Sequence, residues 1–315
     1  AILFSILAIG GSFGAGNAFQ ASQALGAISE RVPFFQTYPI VFGIIMAIVV
    51  GFVIIGGIKR IATTAEKIVP AMVMIYLMAS IWILIANASE VPQAISIIFH
   101  EAFAPTAAAG GLIGVLVQGF KRAAFSSEAG IGSAAIVHST ASVKYPVRQG
   151  LVALYEPFID TIVICTMTAL VIVTTGVYDP AGEFANLVAS KQGAALTAAA
   201  YGTVISWFPV ILSFSIVLFA FSTMISWSYY GERSWTYLFG EKYTLLYKLI
   251  FISFTVAATV TSASAILDFS DLLILAMALP NLIGLYMLQG DVKSNLNAYL
   301  AKWKDGELDR EAIRK

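Results

Sequence analysis

The sequence predicts an all-α, polytopic membrane protein, and three observations predict it. Of the 315 residues, 59% are hydrophobic and only 11% charged, with mean hydropathy +0.85. A soluble domain carries about 25% charged residues, so this chain lacks the polar surface to meet water and must be solvated by lipid. Second, the apolar residues fall in runs near the roughly 20 residues a helix needs to cross a bilayer. The runs are too long for barrel strands of about 10 residues and do not alternate polar with apolar positions. Helices also keep their backbone hydrogen bonds within one segment, as hydrocarbon requires. Third, the basic residues are shared very unequally between alternate loops.

Eight spanning segments are predicted, at 1–28, 39–58, 68–87, 111–138, 150–176, 198–229, 248–267 and 271–290. The chain opens at Ala1 inside an apolar run, with no Met, charged flank or signal peptide. A spanning segment ordinarily has an interfacial anchor before it, so the expectation is a chain truncated at its N-terminus. The stretch 89–109, with Pro92 and Pro105, reads as an irregular or interfacial connector. The fourth segment is the least regular, with Lys121, Arg122, Glu128 and several glycines; only about 123–140 of it could span. Asp268 and Asp271 read as a short outer turn between the last two segments, and Asn281 after Pro280 as polar glue at a kink. Two regions result: a transmembrane domain over 1–290 and a polar tail over 291–315.

The Lys and Arg positions set the orientation. One set of loops holds Lys59, Arg60, Lys67, Lys144, Arg148, Arg233, Lys242, Lys248 and the tail's Lys293, Lys302, Lys304, Arg310, Arg314 and Lys315. The other holds only Arg31 and Lys191. A split of 14 against 2 places the first set, and the C-terminal tail, in the cytoplasm of a plasma-membrane protein.

Ionisable and amide groups inside such segments are costly and mark functional positions, unless they bond their own backbone or glue helices together. Three clusters stand out. Asn17 and Gln20, beside Gly11, Gly14 and Gly16, fall i, i+3 on one helix face. Their amides offer donors and acceptors to a zwitterion, or else form a packing seam. In Phe125-Ser126-Ser127-Glu128-Ala129-Gly130-Ile131-Gly132-Ser133, glycines flank a carboxylate at mid-segment. A broken helix there would free backbone N–H and C=O groups for an anion and a cation, with Glu128 balancing a positive charge or pairing with Lys121 or Arg122. Thr223 and Trp227 are i, i+4 and form a small apolar wall with a polar handle. The hydroxyls of Ser222 and Thr223 could add oxygens around a small cation, while Trp227, Tyr229 and Tyr230 could equally be an interfacial belt. Glu156 and Asp160, i, i+4 around Pro157, are a further pair for gating, or a helix cap or partner of Arg148.

Other classes find little support. Net charge is zero, which offers no field for nucleic acid. Cys165 is the one cysteine, a packed hydrophobe rather than part of a disulfide framework. His100 and His138 lack metal-ligand spacing, and no transition-metal site is expected. No phosphate loop, HExxH or GxSxG occurs, so the chain is not read as an enzyme. A channel or facilitative pore, and a non-transporting assembly subunit, stay open as alternatives.

Five motifs in order carry a resemblance: Gly16-Asn-Ala-Phe-Gln20, Phe125 through Ser133, Pro146-Val-Arg-Gln-Gly150, Phe158-Ile-Asp160-Thr161 and Thr223 through Tyr230. Together they resemble the alanine or glycine:cation symporter family, to about residue 290. Ser127 stands where family members usually have Asn. The resemblance implies a LeuT-type fold of two inverted five-helix repeats, here entered at the third helix and left after the tenth. It implies symport of a small neutral amino acid with sodium or a proton, without prosthetic cofactor or obligatory protein partner beyond lipid. It places Asn17, Phe19, Gln20, Phe125, Ser126, Ser127, Gly130, Thr223 and Trp227 around substrate, and Ser222 and Thr223 at the cation. The first helix would complete that site, so the fragment holds half of it and is expected not to transport alone.

Overall fold

The computed structural model describes residues 1–103 and 111–308. Among them there are helices and turns and no strand. Apart from short helical turns at Phe34–Thr37 and Ala185–Ala189, the helices are α1 (Ile2–Ser29), α2 (Pro39–Ile54), α3 (Gly57–Ala86), α4 (Val91–Phe103), α5 (Gly111–Ser127), α6 (Ala134–His138), α7 (Pro146–Thr175), α8 (Gly193–Gly202), α9 (Phe208–Phe239), α10 (Glu241–Val260) and α11 (Ala263–Lys304). Six of these, α1, α3, α7, α9, α10 and α11, are long and apolar enough to cross a membrane. The second predicted segment is the 16-residue α2, and the fourth is the pair α5 and α6 with a break between them. Pro105, Asp309, Arg310, Arg314 and Lys315 lie outside the described residues.

Local chemistry explains the boundaries. Pro39, Pro146 and Pro209 sit in first turns, where a missing N–H costs nothing. Gly176 and Gly240, both with positive φ, end α7 and α9. Ser262 caps α11 by accepting from the Ala265 N–H at 3.4 Å. Lys248 donates to the last carbonyl of α2, Ile54, at 3.0 Å and pairs with Glu232 at 3.2 Å, tying α2, α9 and α10 together.

Four expectations need correction. The segment predicted at 198–229 is two helices, α8 and α9, separated at 203–207 by a turn. That turn carries no charge, so hydropathy runs through it; Pro209 then starts a new helix with its ring against Gly202. Residues 57–67 form the first turns of α3 rather than a loop, and part of the predicted connector is the helix α4. Asp268 and Asp271 form no interhelical turn, because α10 ends earlier, at Val260. Both lie on α11, where Asp271 is buried against Lys121 Nζ (3.1 Å) and the Arg122 guanidinium. Those cations are therefore partners of Asp271 and not of Glu128. Finally, α11 does not stop at 290 but runs on to Lys304. At roughly 1.5 Å per residue, such a helix is about 60 Å long and outreaches a hydrocarbon layer of about 30 Å. Its far end packs on the start of α7 through Tyr299 and Tyr145 (ring centroids 5.7 Å) and through Arg148 Nε donating to Tyr299 OH at 3.2 Å.

Three apolar clusters hold the helices. One joins α1, α2, α9 and α10 around Phe13, Tyr247 and Phe251. A second joins α3, α7, α8 and α9 around Tyr76, Tyr201 and Phe208. The third packs Ile131, from the break between α5 and α6, against Trp227 of α9 and Met277 of α11. Buried aromatic and aliphatic side chains thus meet at the break itself.

Candidate functional site

The site grows from the interruption after Ser127. Glu128, Gly130 and Gly132 have φ of +56°, +82° and +93°, so the chain leaves the helix through left-handed backbone. Two of the three are glycines, which adopt it freely; Glu128 does so at a steric cost and is held by its side chain. Trp227 Nε1 donates to Glu128 Oε1 at 2.7 Å, and the Ser133 hydroxyl donates to Oε2. The Gly130 carbonyl, released by the break, accepts from Asn281 Nδ2 of α11 at 2.8 Å.

Opposite stands α1, which is not regular. Gly14–Ala18 forms a π turn, the wider winding that accommodates one extra residue in a helix. The Ala15 carbonyl accepts from Gln20 Nε2 at 3.1 Å. Gly16 lies so close to Trp227 that a Cβ there would be 2.3 Å from that residue's Cβ and Cγ. The absence of a side chain at residue 16 is what lets Trp227 lie against α1 and reach Glu128.

A cavity of about 330 Å³ lies between these parts. Gln20, Phe125, Ser126, Glu128, Asp160, Thr223 and Trp227 line it, with Ala15 and Ile274. A second space of about 520 Å³ shares Ser126, Glu128 and Asp160, and reaches Ser127, Tyr76, Tyr155 and Glu156. Asp160 belongs to another π turn, Phe158–Cys165, and accepts from the Ser126 hydroxyl at 2.9 Å. Carboxylates, hydroxyls and an amide thus converge beside two aromatic rings, a donor set suited to an ammonium or a hard cation next to a small apolar group.

Other predicted residues lie elsewhere. Asn17 is fully buried and faces α10: its Nδ2 donates to the Phe251 carbonyl at 2.5 Å and its Oδ1 accepts from Thr255 at 2.8 Å. The π turn breaks the i, i+3 register that would have put Asn17 beside Gln20. Ser222 donates back to the Phe219 carbonyl at 2.8 Å and is not in the lining, so Ser222 and Thr223 do not present a joint pair of oxygens to the cavity. Phe19 stands behind Phe125, edge to face at 5.0 Å. Gly130 contributes its turn and its tethered carbonyl, not a wall. Glu156 meets His138 Nε2 at 3.0 Å, and Gln149 Nε2 lies 2.7 Å from His138 Nδ1. This joins α6 to α7, a role the isolated histidine did not suggest.

The sequence does not single out Ser133 and Asn281 as supports of the break, or Ala15 and Ile274 as lining of the cavity. Ser133 had a signal in its place within the glycine cluster, and Asn281 in its place after Pro280. Ala15 and Ile274 had none, being small or aliphatic residues among many.

Comparison with known proteins places the chain among transporters. The profile of the sodium:alanine symporter family matches residues 1–313. A sodium/alanine symporter of Methanococcus maripaludis is 37% identical over 95% of this chain and 64% of its own length. An uncharacterized transporter of Haemophilus influenzae is 35% identical over 96% of the chain and 66% of its own. A probable sodium/glutamine symporter of Bacillus subtilis is 34% identical, over 87% and 56%. The chain therefore spans about two thirds or less of the length of these relatives.

Proposed function

The chain belongs to the sodium:alanine symporter family, and from that premise we propose that it forms the greater part of a secondary active transporter carrying a small neutral amino acid, alanine or glycine, together with sodium. The observation that supports this most is the Glu128 carboxylate, held by Trp227 and Ser133 at a helix break on the wall of a 330 Å³ cavity. Broken helices at mid-membrane are where secondary transporters hold substrate and coupling ion.

In this reading the helices correspond to the third through tenth of a LeuT-type inverted repeat, with α5 and α6 as the two halves of the discontinuous sixth. Gln20, Phe125, Ser126 and Ser127 surround the amino acid, and Trp227 and Thr223 close its apolar side. Thr223 adds an oxygen for sodium, whose other ligands come from helices of the whole protein that precede α1. Glu156 and Asp160 line the route to the binding space. The membrane is crossed several times, with the far end of α11 in the cytoplasm.

Sodium binding orders the broken helix and so favours substrate binding, which is the coupling. One charge crossing 100 mV provides about 2.3 kcal/mol, enough for a gradient of roughly 50-fold in a neutral solute. The test is uptake of radiolabelled alanine by the full-length protein in proteoliposomes. Uptake that rises with an inward sodium gradient and collapses with a sodium ionophore is expected. A folded protein that takes up neither alanine nor glycine under sodium or proton gradients would refute the assignment.

A further inference from the structure

One helix, α11, grips the broken helix in two chemically different ways. Asp271, 6% exposed, receives Lys121 Nζ at 3.1 Å and the Arg122 guanidinium, both from α5. Arg122 also lies over the Phe125 ring, 5.3 Å from its centroid, and Phe125 lines the cavity. Ten residues and about 15 Å further along α11, Asn281 holds the Gly130 carbonyl inside the break. Between the two grips Ile274 forms cavity wall. The carboxylate is buried, while the side chains of Lys121 and Arg122 are 30% and 42% exposed. The cations are thus freer to move than the carboxylate, and separating them from it strands a buried charge until the carboxylate is wetted. The Asn281 tether, by contrast, involves no charge.

We propose that Asp271, acting through Lys121 and Arg122, is a positioning residue that latches α5 onto α11 and closes the cavity on the side from which α5 enters, with Asn281 as the pivot. The inference rests on the symport reading, whose orientation puts this side outside. Closing follows substrate binding, so the latch governs the step from the outward-open to the closed form.

The experiment uses the full-length protein in right-side-out vesicles, with alanine uptake measured under an inward sodium gradient. In Asp271→Asn, Vmax is expected to fall about tenfold while KM also falls, because apparent affinity rises with the fraction of the binding-competent, outward-open form. Asp271→Glu moves both values back toward wild type. The triple variant Lys121→Gln, Arg122→Gln, Asp271→Asn leaves no stranded charge and shows the same split even if the single variant does not fold. A lowered Vmax with unchanged KM in every variant would make Asp271 structural only, and wild-type kinetics in the triple variant would also overturn the latch. A second readout needs no substrate: with Cys165→Ser and Ile274→Cys, labelling by an impermeant thiol reagent rises in the triple variant. Unchanged labelling overturns the latch whatever is transported, whereas failure of wild-type uptake alone counts against the symport reading.

Discussion

Replacing Trp227 by Phe removes one N–H from the site and little else. The indole is 3% exposed, its Nε1 is 2.7 Å from Glu128 Oε1, and α1 backs it at Gly16. The phenyl ring keeps most of the apolar wall but gives the carboxylate oxygen no donor, and the remaining bond, from Ser133, serves the other oxygen. A hydrogen bond to a carboxylate contributes about 1.5–3 kcal/mol. At about 1.4 kcal/mol per factor of ten, Vmax/KM for alanine is expected to fall roughly 10- to 150-fold if the bond is needed in the rate-determining state. The assay is sodium-driven uptake by full-length protein in proteoliposomes, with folded protein quantified by size-exclusion chromatography. A double-mutant cycle with Glu128→Ala isolates the bond, since groups in direct contact couple by about 0.5–3 kcal/mol. If the losses in Trp227→Phe and Glu128→Ala simply multiply in the double variant, Trp227 acts by filling space and the reasoning fails.

Other substitutions separate the site from its scaffold. Gly16→Ala places a Cβ 2.3 Å from Trp227 Cβ and Cγ, so the indole must shift; uptake is expected to drop by about 100-fold, as for misplacements near 1 Å, in protein that still elutes as a folded species. Asn17→Ala removes two buried hydrogen bonds, leaving the Thr255 hydroxyl only its 3.5 Å contact with the Phe251 carbonyl, and should cost about 1–3 kcal/mol, read as a lower melting temperature in detergent with KM unchanged. Gly132→Ala forces a side chain into backbone with φ +93° and within 2.7 Å of Asn281 Oδ1; a stability loss of about 1–3 kcal/mol or more is expected by the same thermal assay, with impaired uptake.

The sequence was most legible where residue types are rare in their setting. A carboxylate among glycines inside an apolar run announced the break at Glu128, and the pairing of Trp227 with a hydroxyl one turn earlier announced the opposite wall. What stayed hidden depends on registers that no local pattern records. Asn17 and Gln20 were assigned one face by regular helical spacing, and a π turn separates them. Asp271 reads as a turn residue because no charge marks the true turn between Val260 and Ala263, which conceals its contact with Arg122 across 149 residues of sequence. The turn at 203–207 is built from residues as apolar as the helices it joins, so hydropathy could not see it. His138 met Glu156 only because α6 folds back against α7.

The two π turns have a consequence of their own. Gly14–Ala18 and Phe158–Cys165 face the cavity from different helices, through Ala15 and Asp160. Each wall therefore holds one amino acid in excess of what its length requires. Such a surplus can be passed from turn to turn without unwinding the rod, and each step swings the next residue by about 100° about the axis. Side chains beyond the defect could then be exchanged at the cavity surface while both ends of the helix stay anchored, a way to alter a pocket's lining without displacing the helices that carry it.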